Sequence, residues 1–87
     1  MPQVIEIVVG TKNYQIEWAL SEYFGELKGK KFMVNEMAAD QIVLINDLSD
    51  TAKILLSAVA GAVIQHLIDD NCQMDEVFEK GYFIVKD

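Results

Sequence analysis

Residues 54–68 read ILLSAVAGAVIQHLI, fifteen consecutive positions without a formal charge. A bilayer requires about 20 predominantly apolar residues, and shorter runs are more often buried core helices. This run is closed by Lys53 before it and Asp69-Asp70 after it, and Ser57, Gln65 and His66 interrupt it, so no membrane span is expected. A helix apolar on nearly every side must instead be covered by protein. On a helical wheel Leu56, Val59, Ala60, Val63 and Leu67 make one stripe, suited to the domain's own sheet. Ser57, Ala58, Gly61, Ala62 and Gln65 make a second stripe of mostly small residues, which lets another backbone approach closely. In so small a chain the expected occupant of that second stripe is another copy, giving a homodimer.

Moving outward, Asn46 to Thr51 (NDLSDT) supplies helix N-cap chemistry and acids that suit the helix dipole, so the long helix is expected over roughly 50–70. Before it, QIVLIN (41–46) has apolar residues on both faces and reads as a central strand. KKFMVN (30–35) reads as a short strand. Leu20, Tyr23, Phe24 and Leu27 fall at i, i+3, i+4 and i+7, which predicts an amphipathic helix over 19–28 with Glu22 and Glu26 outward and Gly29 as its C-cap. QVIEIVV, GTKN and YQIEW (3–18) predict a hairpin. With Thr11-Lys12 at the tip, Val9 faces Tyr14, Ile7 faces Ile16, Ile5 faces Trp18, and Glu6 stands opposite Glu17 on the outer face. After the long helix, QMDEVFEKG suggests one helical turn and GYFIV a last strand in which Tyr82 and Phe83 point to opposite faces. The order β-β-α-β-β-α-β defines a single α+β domain over 1–87 with a mixed or antiparallel sheet. In element order alone it is similar to a β-grasp with an enlarged second helix.

The chain of 87 residues carries 14 acidic and 7 basic residues, net −7, and every basic residue is a lysine. Nucleic-acid binders need a basic footprint, and arginine is the residue that grips phosphate and guanine in bidentate fashion. Direct DNA or RNA binding is therefore not expected. The segment 44–87 holds eight acids and three lysines, and Asp69 to Glu79 has five acids and no base. A partner guided by charge should be basic. Single Cys72 has no internal disulfide partner, and no basic leader precedes the first strand, which together lead us to expect a reducing, cytoplasmic setting.

Catalytic signals are sparse. His66 is the single histidine, and Ser57, nine residues earlier, lies about 180° round the same helix. Cys72 has no neighbouring Lys or Arg to mark it as an activated thiolate, so a structural role is expected. His66 and Asp70 share a helix face with Asp69 alongside, and these three are the candidate metal ligands. An EF-hand counted from Asp69 fails, with Met74 where glycine is needed and Lys80 where the bidentate glutamate belongs. The lysines Lys28, Lys30 and Lys31 lack the glycine-rich backbone cradle of a phosphate site.

These features predict a non-enzymatic interaction domain without cofactor, homodimeric through Ser57, Ala58, Gly61, Ala62 and Gln65. It would present Asp69, Asp70, Asp75, Glu76 and Glu79, with Glu6 and Glu17, to a basic protein surface. Small acidic inhibitors, immunity proteins and phage-encoded nucleic-acid mimics work in this way, occupying a positive groove meant for phosphate. The alternatives are a structural subunit joined to a larger assembly by the apolar helix, and a metal-binding protein at His66, Asp69 and Asp70.

Overall fold

The computed structural model describes residues 3–19 and 24–86. Strands β1 (Gln3–Val9) and β2 (Lys12–Trp18) are followed by the one-turn helix α1 (Phe24–Leu27), strand β3 (Lys31–Met33) and a 3₁₀ turn at Val34–Glu36. Then come α2 (Ala39–Ile42), the long helix α3 (Asp50–Asp69), α4 (Met74–Lys80) and strand β4 (Tyr82–Lys86). The four strands form one antiparallel sheet in the order β2-β1-β4-β3, so β2 and β3 are its edges. The α+β class and the antiparallel sheet are those expected from the sequence.

Alternation along β1 puts Ile5, Ile7 and Val9 on the buried face and Val4, Glu6 and Val8 on the other. Opposite them the hairpin pairs Val9 with Lys12, Ile7 with Tyr14, Ile5 with Ile16 and Gln3 with Trp18. The tip is Gly10-Thr11, one residue earlier than expected. Gly10 has φ 61° while Thr11 stays at negative φ, the pattern of a two-residue type II′ turn, which wants glycine at its first central position. A shift of two in the partner keeps every side chain on its face and changes only its neighbour across the ladder. Glu6 consequently stands opposite Gln15, and Val4 opposite Glu17, so the expected Glu6–Glu17 pair does not form.

On the outer face two lysines reach side chains of the neighbouring strands. Lys86 Nζ lies 2.6 Å from Glu6 Oε2, and Lys31 Nζ sits 4.1 Å above the centre of the Tyr82 ring. Phe83, the neighbour of Tyr82, is fully buried on the helix side, its ring 5.4 Å from that of Phe32.

Helix α3 starts where the sequence places N-cap chemistry. The Ser49 hydroxyl accepts from the Ala52 N–H at 3.2 Å, and Ser49 in turn donates its own N–H (2.9 Å) and O–H (2.8 Å) to the Glu26 carboxylate. These two hydrogen bonds hold the Glu26 carboxyl below its ordinary pKa and tie α1 to the start of α3. At the other end Asn71 adopts φ 58°, with Cys72 N–H bonded to Leu67 O (3.0 Å) and Asn71 N–H to Ile68 O (3.0 Å). That is a Schellman motif with asparagine at the left-handed position, and it ends the helix despite acids that oppose the dipole. Between the caps, Ala52, Leu56, Val59, Ala60, Val63 and Leu67 are buried against the sheet's inner face, where Ile5, Ile7, Phe83 and Val85 are fully buried. Each large side chain so buried contributes about 1.5–3 kcal/mol relative to leaving it in water. Among the described residues α3 is the one helix long and apolar enough to cross a bilayer, with a third of its most apolar window (33%) buried in this fold.

QIVLIN does not form a strand. Residues up to Ile42 belong to α2, then the chain turns, with Asp47 at φ 71°. Ile42 is buried, Ile45 half-buried, and Val43 and Leu44 are exposed. A short apolar run bounded by turn residues fits a buried strand or a helical segment equally by periodicity, and here Asn46-Asp47 turns the chain into the α3 cap instead of extending it. With that strand absent, the likeness to a β-grasp in element order lapses. The expected helix over 19–28 is described only at Phe24–Leu27; Leu20, Glu22 and Tyr23 lie outside the described residues.

Gly81 joins α4 to β4 where the backbone doubles back: a Cβ there would stand 2.5 Å from the Val77 carbonyl oxygen. Gly81→Ala is therefore expected to destabilise the domain by about 1–3 kcal/mol, the range for forced overpacking, readable in the denaturation midpoint.

Candidate interaction site

The Schellman turn carries Asp70 and Cys72 across to the inner face of β2, where Tyr14 receives them. Tyr14 donates its hydroxyl to Asp70 Oδ2 at 2.7 Å, and the Tyr14 hydroxyl oxygen lies 3.2 Å from Cys72 Sγ. The His66 ring packs edge-on against Tyr14, centroids 5.4 Å apart at 72°. Ionising Tyr14 would set a phenolate against the Cys72 sulfur and the Asp70 carboxylate, so its pKa is pushed well above the ordinary phenol value. Asp70 is held below the usual carboxylate range, first by the Tyr14 hydrogen bond, opposed by desolvation and assisted by the charge of Lys12. The cluster is a polar seam locking the end of α3 to the hairpin, with the phenol protonated and the carboxylate ionised.

The three candidate ligands do not converge: Asp70 turns to Tyr14, and Asp69 accepts from Gln65 Nε2 at 2.9 Å. Among the described residues no group of three or more His, Cys, Asp and Glu side chains stands close enough to share a metal ion.

The acids expected to face a partner gather at one end of the molecule, with two exceptions. Asp69, Asp70, Asp75 and Glu79 are exposed, and half-buried Glu76 leans over the hairpin tip, its Oε1 only 2.8 Å from where a Gly10 Cβ would stand. Lys80 partly offsets Glu76 at 3.8 Å. Glu6 lies on the outer sheet face, neutralised by Lys86. Glu17 lies on the edge strand β2, away from α4.

Between β2 and α3 runs an open cleft of about 350 Å³ walled by Ile16, Trp18, Ala62 and His66, with Glu17 and Asp69 at its rim. Of the small-residue stripe, half-buried Ala62 and exposed Gln65 line this cleft, while Ser57, Ala58 and Gly61 are exposed outside it. Ile54 (71% exposed) and Ile68 (48%) flank Gly61, and Ile54 shares a shallow depression with Val43 and Ser57.

Two features escaped the sequence reading. The sequence places Tyr14 only by its hairpin register, yet its hydroxyl organises the seam; the signal available was that a tyrosine on an inward strand position seeks a partner for its O–H. The Glu26–Ser49 tie joins residues 23 positions apart, and no local pattern announces it. Compared with protein-family models, with curated proteins and with solved structures, the chain matches none.

Because the folded pKa of Asp70 is depressed, its contribution to stability is present above the ordinary carboxylate value of 3.8 and is lost as pH falls through the lower folded value. Tyr14→Phe removes the first cause of that depression. The Asp70 carboxyl should then titrate at higher pH, measurable by carbon NMR, with less stability lost on acidification.

Proposed function

We propose that the protein is a small acidic interaction domain that binds a basic protein surface and pairs with itself through the bare flank of α3. What supports the reading is a division of the surface. One flank, with Ile54, Ala58, Gly61 and Ile68, stays uncovered after folding, and the C-terminal end of α3 with α4 carries the carboxylates. Scattered exposed apolar side chains are ordinary on a soluble protein, but a helical row of them around a glycine invites close backbone approach. A Cβ built on Gly61 meets nothing within 4 Å, so the glycine is not required by packing within the domain. The carboxylate end would guide a basic partner by long-range attraction, with the gain chiefly in association rate.

The same bare flank supports a second reading, a structural subunit whose apolar helix joins a larger assembly while the acids keep it soluble. Replacing Gly61 separates the two. The wild-type chain should sediment at twice the 9.8 kDa chain mass, and Gly61→Trp should be monomeric with unchanged helicity. That monomer should still bind polylysine, with affinity that falls from low to high salt. A wild-type monomer at every concentration would remove the self-pairing. Polylysine affinity indifferent to salt would remove the basic partner, and loss of all binding in the variant would favour the assembly subunit.

A further inference from the structure

Among the described residues the sheet has one long edge that nothing pairs with. In a hairpin with a two-residue turn, the pair flanking the turn exchanges both hydrogen bonds, and the exchange recurs at every second pair. Here those pairs are Val9–Lys12, Ile7–Tyr14, Ile5–Ile16 and Gln3–Trp18, so the N–H and C=O groups of Asn13, Gln15 and Glu17 point away from β1. Among the described residues nothing pairs with them. Natural sheets blunt such edges with proline, bulges, shortness or clustered lysine. Strand β2 has seven residues, no proline, a continuous register and a single lysine at its turn end. The other edge, β3, has three residues and begins with Lys31.

Beside this edge lies the cleft between β2 and α3. A strand added to β2 would place alternate side chains on the helix-bearing face, directly over it. Its walls, Ile16, Trp18 and Ala62, suit an aliphatic stem, and its rim carries the Asp69 carboxylate, with no lysine among the lining residues. Long apolar contact ending in a carboxylate beside an indole is the chemistry that holds a lysine or arginine side chain. A second copy docking here would bring its own Asp69, on a chain of net charge −7, against the first, like charge on like, whereas a cationic segment meets complementary charge. The occupant favoured is therefore a basic one.

We infer that β2 is a docking edge for an extended basic segment of a partner protein, which adds as a fifth strand and seats a cationic side chain in the cleft between Trp18 and Asp69. The inference rests on the reading above that the partner is basic, and it specifies where and in what conformation that partner binds. Main-chain hydrogen bonds to Asn13, Gln15 and Glu17 supply affinity, and the cleft supplies preference for Lys or Arg at alternate positions.

The test uses the full chain and a peptide of about ten residues that alternates lysine and valine, beside the same peptide N-methylated throughout, which keeps its charge but cannot donate to a sheet edge. The plain peptide should slow hydrogen exchange at the Asn13, Gln15 and Glu17 amides, and the methylated one should bind at least about tenfold more weakly. Asp69→Lys, which places a cation favourably at a helix C-terminus, should fold and lose a similar factor. Gln15→Pro removes an N–H that faces away from β1, a substitution an edge strand tolerates, and should abolish the plain peptide's advantage over the methylated one. Equal, salt-sensitive binding of both peptides would overturn strand addition while leaving the basic partner standing. Failure of both peptides, with polylysine still bound, would overturn the edge alone; failure of polylysine as well would remove both readings. Slowing of the three amides by raised protein concentration without peptide would give the edge to a second copy and overturn the inference.

Discussion

Burial of one stripe of α3 on the inner face of the sheet is the contact on which the rest of the structure depends. Leu56, Val59, Val63 and Leu67 from the helix meet Ile5, Ile7, Phe83 and Val85 from the two central strands, and all eight are fully buried. No disulfide supports the fold, and a domain of this size buries only about 60–70% of its unfolded surface, so much of the hydrophobic term must come from this layer, with Leu27, Val34, Ile42 and Val77 closing its margins. Everything at the helix ends serves its placement. Ser49 and Glu26 fix where the helix begins, the left-handed Asn71 fixes where it stops, and Tyr14 ties that end to the hairpin through Asp70.

The surface left over follows from the same contact. A helix that buries its leucines and valines on one stripe and keeps alanine, glycine and two isoleucines on the opposite one is only half served by a single sheet. The sheet itself is covered by helices on one side, and on the other Lys86 pairs with Glu6 and Lys31 sits over the Tyr82 ring. Of the two edges β2 is the longer. The outer flank of α3 and the β2 cleft adjoin across the width of one helix, and Ala62 and Gln65 border both.

The long helix, its caps, the hairpin and the last strand were legible because each has a strong local cause: apolar spacing, N-cap residues, a glycine turn, alternation. The hairpin partner shifted by two because Gly10 supplies the positive φ that the first central position of a two-residue turn requires and Thr11 does not, a choice that depends on ladder twist and not on the apolar pattern. QIVLIN was misread because apolarity on all sides measures burial and not period, and much of that segment is not even buried: Val43 is 63% and Leu44 67% exposed. Of the candidate site, the acids of α3's end and α4 were visible as composition, whereas the departure of Glu6 to Lys86 and the cleft under Trp18 depend on which strand neighbours which. Strand order is a long-range outcome that no local window encodes.

The brevity of β3 bears on how far this protein can associate. A sheet that could grow from both edges would invite open-ended stacking, one molecule templating the next toward a fibre. With only three residues on the far side, and a charged one leading them, addition at β2 has no matching second terminus. A strand added at β2 would therefore end growth after a single step, and such a complex would be finite.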